Sequence, residues 1–300
     1  MSFLMLNQSA LHSVFTKIIA LLIFSLSLTA CGGGGSKGVN PPPHSARFSY
    51  VKMHNGLLKN QPYDWNENIS LQNIILSNYA AKGSTVLNVK SNADLVVNQL
   101  ITYKSTDGNY YIGKISALPT NQIKLTSPLE DAISAGNNAW DLYSDSTPHP
   151  NIYGYKAIAD FSVRSLGFGS STGGTHLLLG DSWFDGGDIA RRLRQKLSGA
   201  TIINKGIGGN TAKDLINRFD QDVTPHSPDY VWILCGTNDY WQGVSTAQFK
   251  ANLNTLINKS KAIGAKVIIF DSSVGAGTGS TGVSNQHQSE EYVRVLQELL

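Results

Sequence analysis

Three hundred residues allow one large or two ordinary domains, and 41% hydrophobic with only 15% charged residues describes a chain that buries a core, which excludes a disordered tail or linker. The formal charge of +3 falls to +2 once residues 1–30 are set aside, because Lys17 is their only charge; no basic footprint for nucleic acid remains. Two cysteines, Cys31 and Cys235, make neither a disulfide framework nor a zinc site, and no metal or cofactor is implied.

Residues 18–28 form an uncharged apolar run after Lys17, too short to span a bilayer but of the length of a signal-peptide core. The run closes on Leu28-Thr29-Ala30-Cys31, which resembles the lipobox of bacterial lipoproteins. That resemblance implies cleavage after a signal peptide of residues 1–30, a lipid on Cys31, and export to the cell envelope. The absence of Asp after Cys31 resembles lipoproteins sent to the outer membrane. An ordinary signal peptide with an incidental cysteine is the competing reading. Residues 31–47, with Gly32–Gly35 followed by Pro41–Pro43, read as a flexible then stiff tether.

Residues 48–160 are read as a small β-rich domain, a barrel or sandwich. Val86–Val89, Leu100–Lys104 and Tyr110–Ile115 alternate with period two, and Asp107-Gly108 is a hairpin signal. Its Tyr103, Tyr110, Tyr111 and Trp140 suit either a core or a platform for sugars. Gly169–Gly173 formally fits the nucleophile-elbow spacing, but a polar loop precedes it and a strand follows, so it reads as linker.

From residue 174 to 300 the pattern changes to strand, glycine loop, helix, repeated. Strands are expected at 175–179, 201–203, 230–235 and 266–270, and helices at 188–197, 211–219, from Ser245 onward, and at 289–300. Ser245 with Gln248 reads as a capping box. Such alternation makes a flavodoxin-like parallel sheet with helices on both faces, and ligands bind such sheets at the carboxyl ends of the strands.

Three successive strands end in Gly180-Asp181-Ser182-Trp183, in Asn204-Lys205-Gly206-Ile207-Gly208-Gly209-Asn210-Thr211, and in Cys235-Gly236-Thr237-Asn238-Asp239. In that order these resemble three conserved blocks of the SGNH, or GDSL-type, serine hydrolases. The resemblance implies the SGNH hydrolase fold, Ser182 as nucleophile, and an oxyanion hole from the Ser182 N–H, the Gly209 N–H and the Asn238 amide. The chemistry suits these residue types: a serine opening a helix presents its hydroxyl at the sheet edge, a glycine offers a bare N–H, and an asparagine amide stays a donor at any pH. Ser182 as a helix cap and Asn238 as a turn residue are the bland alternatives. Asp239 reads as a loop fixer and Cys235 as a buried small hydrophobe.

The family's last block is Asp-x-x-His, past one more strand, and supplies the general base. No such spacing exists in the sequence: Asp145/His149 and Asp222/His226 are one residue too wide and lie outside the expected place. His176 and His226 fall at the far edge of the sheet. His287 follows the 272–286 loop on the catalytic side, with Ser284 where the family has aspartate. An apolar-periodic helix still running at Leu300 predicts that the polypeptide continues and carries the base beyond that point. The resemblance thus implies an envelope-anchored carboxylic ester hydrolase without metal or cofactor, acting on acetylated carbohydrate or short acyl and lipid esters. The alternative is an inactive relative that binds glycan through its β-domain. Oligomeric state and acyl length are not legible.

Overall fold

The chain enters the structure on Phe48–Val51 (β1), which lies not in a β-rich domain but at the edge of a parallel sheet. The computed structural model describes residues 48–51, 73–93, 95–141, 149–270, 292, 294–296 and 298–299. All fall within one compact unit, Ser45–Leu300. Cys31, the tether, Asp145 and His287 lie outside the described residues.

After β1 come six short strands: Asn73–Ile75 (β2), Val86–Asn88 (β3), Leu100–Lys104 (β4), Tyr110–Ala117 (β5), Gln122–Leu125 (β6) and Asn138–Asp141 (β7). They pair in the order β2-β7-β4-β5-β6-β3, every pair antiparallel. A Leu76–Val89 bridge, with Ser77 N–H donating to Asn88 O and Lys90 N–H to Ile75 O, joins the two outer strands. The sheet therefore curls into a small barrel and leaves no open edge there. Its interior holds Leu87, Ile101, Tyr103, Ile115 and Ile123, all under 3% exposed. Tyr103, Tyr110, Tyr111 and Trp140 are all buried, so burial settles the choice between core and sugar platform in favour of core.

The next element was not expected in a β-rich stretch. Ile152–Ser165 (α1) is a helix whose cap, Asn151, accepts from the Tyr153 and Gly154 N–H groups at 2.9 and 3.0 Å. It buries Tyr155, Ile158, Ala159 and Val163, at helical spacing, against the parallel sheet.

The remaining elements alternate as the sequence requires: Gly174–Gly180 (β8), Ser182–Asp185 (α2), Asp188–Lys196 (α3), Ala200–Gly206 (β9), Ala212–Asp222 (α4), a 3-10 turn at Thr224–His226, Tyr230–Leu234 (β10), Thr237–Trp241 (α5), Thr246–Ala262 (α6) and Lys266–Phe270 (β11). The sheet order is β1-β11-β10-β8-β9, all parallel. Leu178, Trp232, Leu234, Ile268 and Phe270 face the layer of α1 and α3, while Leu177, Leu179, Val231, Ile233, Val267 and Ile269 face α4 and α6. Apolar side chains on both faces are what a doubly covered parallel strand demands. Thr211 and Asp214 form a full capping box on α4, whereas at α6 only half of the expected box exists: Ser245 accepts from Gln248 N–H, and the Gln248 amide goes to Asn252 instead. Among the described residues no helix is long and apolar enough to cross a membrane.

Candidate active site

The chain runs from β8 out to β9 on one side and then returns to β10 on the other, which opens a crevice above the carboxyl end of β8. Ser182 stands there, one residue past Asp181, whose carboxylate caps α2 by accepting from the Trp183 N–H at 3.1 Å. Two glycines let this turn pack. A Cβ on Gly180 would meet Phe184 Cδ2 at 2.6 Å and Leu234 O at 2.8 Å, and one on Gly206 would meet Asp185 N at 2.3 Å. The backbone of β9 therefore passes directly against α2, and no larger residue fits.

The β9 loop carries its glycines up beside the serine. A Cβ on Gly208 would sit 3.8 Å from Ser182 Cβ, and the Gly208 N–H is taken by Asp185 Oδ2 at 3.0 Å. Gly209 adopts a φ of +78°, a left-handed conformation that glycine alone takes without strain. Among the described residues neither the Ser182 N–H nor the Gly209 N–H has an acceptor. Asn238, on α5, donates its amide to Asn210 O at 3.0 Å and lies 3.5 Å from Asp181 Oδ2.

The structure also brings to Ser182 a histidine not among the residues singled out in the sequence as the base, His149. Its Nε2 lies 2.8 Å from Ser182 Oγ. The ring is half-buried, and burial lowers its pKa below the ordinary histidine value, so it stands neutral and able to accept a proton. The residue lies before the nucleophile in the chain, two positions ahead of the α1 cap, and not in the place after the third block where the sequence leads one to expect a base. In the sequence its spacing from Asp145 is one residue too wide and it lies outside the expected place. The available signal was the helix itself: Asn151 followed by Ile152, Tyr155, Ile158, Ala159 and Val163 marks a helix start, and so places a histidine in a loop of the α/β layer rather than in the barrel.

Beneath these groups lies a buried acidic pair. Burial pushes the Asp181 carboxyl up to about 7, with the charge of Asp239 adding to the shift, and burial pushes Asp239 up to about 6. Asp239 accepts from the Ala212 N–H through both oxygens, at 3.1 and 2.9 Å, tying the β10 loop to the start of α4 as a loop fixer should. Cys235 is fully buried and its thiol is raised well above its usual value by burial, which keeps it an unreactive apolar group. His176 is also buried; it stacks on Tyr230 at 4.2 Å and its Nδ1 accepts from Trp232 Nε1 at 3.1 Å, at the opposite end of β8 from Ser182. Among the described residues no His, Cys, Asp and Glu cluster could hold a metal ion.

Comparison with known proteins bears on the reaction class. Residues 169–300 match the model of the GDSL-like Lipase/Acylhydrolase family. An acetylxylan esterase of Geobacillus stearothermophilus is 33% identical over 82 residues, covering 24% of this chain and 37% of that protein. A lipoprotein of Bacillus subtilis, YqeF, is 40% identical over 75 residues, covering 23% of this chain and 31% of that protein. The chain thus spans about a third of the length of these relatives. A solved structure of an acetylxylan esterase from Geobacillus stearothermophilus aligns with 42% of this chain and 71% of its own at 24% identity, with a TM-score of 0.35.

Proposed function

We propose that the protein is a serine esterase that cleaves carboxylic esters with Ser182 as nucleophile and His149 as general base. The observation that carries the proposal is the 2.8 Å approach of His149 Nε2 to Ser182 Oγ at the carboxyl edge of a parallel sheet. The match of residues 169–300 to an acylhydrolase family supports the same reaction class.

Ser182 Oγ attacks the ester carbonyl as its proton passes to His149 Nε2. The carbonyl oxygen becomes an oxyanion held by the Ser182 and Gly209 N–H groups and by Asn238 Nδ2, which gives up its longer contact, at 3.5 Å, to receive it. The imidazolium then returns the proton to the leaving alcohol, and water, deprotonated by the same ring, releases the acyl group.

For the substrate we favour an acetylated carbohydrate. The acetylxylan esterase relative supports it, and so does Trp241, an exposed indole one helical turn from Asn238 on α5, suited to stack on a sugar ring. The lipobox-like Leu28–Cys31, with a relative named as a lipoprotein, supports attachment to the bacterial envelope by a lipid on Cys31. The test is hydrolysis of p-nitrophenyl acetate by the full chain. Ser182→Ala and His149→Ala should each lower kcat by about 10⁴-fold or more, and Asn238→Ala by about 10²- to 10³-fold. Wild-type rates in either of the first two variants would refute the mechanism.

A further inference from the structure

The base reaches the site on a stretch of chain whose two ends belong to different modules. The barrel strand β7 closes with Trp140 and Asp141, and α1 opens at Ile152. His149 belongs to the residues between. Directly across this stretch the Trp140 and Tyr153 rings stack face to face, with centroids 3.7 Å apart and planes 8° from parallel. Tyr110 lies against both, at 6.2 and 6.3 Å. Two cations cover the group: Lys156 Nζ sits 5.1 Å from the Tyr153 ring and 5.2 Å from that of Tyr110, and the Arg192 guanidinium sits 5.3 Å from Tyr110.

We propose that Trp140 and Tyr153 are positioning residues: their stack clasps both ends of the base-bearing stretch and thereby holds His149 at Ser182. The proposal rests on the reading of Ser182 and His149 as nucleophile and base. His149 stands four residues before Tyr153, next to the Asn151 cap, so a ring contact that fixes Tyr153 against β7 fixes the start of α1 and the imidazole beside it; an imidazole displaced by about 1 Å from its serine loses much of its rate. The stack also gives the barrel a part in catalysis. Its strand β7 supplies one jaw of the clasp, so the inserted module orients the base without contributing a group that touches substrate.

The experiment uses the full chain and reads two rates: hydrolysis of p-nitrophenyl acetate, and covalent capture of Ser182 by a fluorophosphonate, which reports nucleophile activation directly. Tyr153 is only half-buried, so Tyr153→Ala spares the core; it should lower capture and kcat by about 10- to 100-fold at nearly unchanged KM, with Tyr153→Phe restoring both. Trp140→Leu, which keeps an apolar side chain but removes the ring, should act like Tyr153→Ala. Leu87→Ala, which empties a fully buried site in the barrel away from the clasp, should lower the thermal midpoint while leaving the capture rate within twofold. Loss of capture in His149→Ala but not in Tyr153→Ala would overturn the clasp alone. Equal loss in Leu87→Ala would also overturn it, since any weakening of the barrel would then suffice. Retention of capture by His149→Ala would overturn the base assignment and the clasp together.

Discussion

Arg192 joins three elements, and its removal gives a calculable loss. Its Nε donates to Asp160 Oδ1 and its Nη2 to Asp160 Oδ2, both at 2.8 Å, and Nη2 also reaches Gly108 O at 2.9 Å. The Asp160 carboxylate has no exposed surface, the Arg192 side chain is 12% exposed, and the carboxylate also accepts from the Tyr110 N–H at 2.7 Å. The pair therefore bolts α1 to α3 and both to the β4–β5 hairpin of the barrel. Arg192→Ala strands a buried carboxylate with one backbone donor, which costs about 3 to 5 kcal/mol, where an exposed pair would cost less than about 1 kcal/mol. In a unit of this size that corresponds to a fall in Tm of roughly 10 °C. Arg192→Met combined with Asp160→Asn should cost less than Arg192→Ala, because no charge is left buried and the amide oxygen still accepts from Tyr110. Urea and thermal denaturation of the three proteins measure this. A loss under about 1 kcal/mol for Arg192→Ala, or a double variant no better than the single, would refute the reasoning.

Three further outcomes follow from the site. Because burial lowers the His149 pKa, the working base is neutral above that value and charged below it; kcat/KM should fall on the acid side only, with its half-point below the ordinary histidine value of 6.5, in a pH profile on p-nitrophenyl acetate. Asp181, raised to about 7 from 3.8, favours the fold fully below about pH 4, and that contribution is lost as pH rises through 7; Asp181→Asn should flatten the decline in Tm between pH 5 and pH 8, by a few kcal/mol of stability at most. Gly206→Ala places a methyl 2.3 Å from Asp185 N and 2.4 Å from Phe184 C, both backbone, so it should misplace Ser182 and abolish fluorophosphonate capture even where circular dichroism shows a folded chain.

The parallel sheet was legible because its strands are apolar on both faces and alternate with amphipathic helices, whereas the close passage of β8 and β9 against α2, which requires Gly180 and Gly206, shows only in the fold. The barrel was legible in its strands, since Leu100–Lys104 and Tyr110–Ala117 alternate around a turn marked by Asp107-Gly108. Its limits were not. Four residues of β1 carry no periodicity long enough to show which sheet they join, and they pair with β11, more than two hundred residues later in the chain. The helix α1 had the full apolar spacing and a cap, but the strands before it drew the expected boundary into its middle, at residue 160.

That boundary kept His149 out of the layer that holds Ser182, and the reason is topological. What an acyl-transfer site needs is three loops and an imidazole meeting at one edge of a sheet; a parallel sheet collects at its carboxyl edge whatever follows each strand, regardless of the order in which the chain visits the strands. Here β1 takes the outer place beyond β11, the barrel fills the path between β1 and His149, and α1 then covers the sheet before β8 begins. Motif order along a chain is read in one dimension, so a base expected after Asn238 is sought only there. Strand adjacency is the quantity that decides: β1, the first strand in the chain, pairs with β11, the last one described, and His149 comes back to the sheet beside Ser182 at the end of β8. A histidine in any segment that returns to the carboxyl edge of the sheet is therefore a candidate base, whatever its place along the chain.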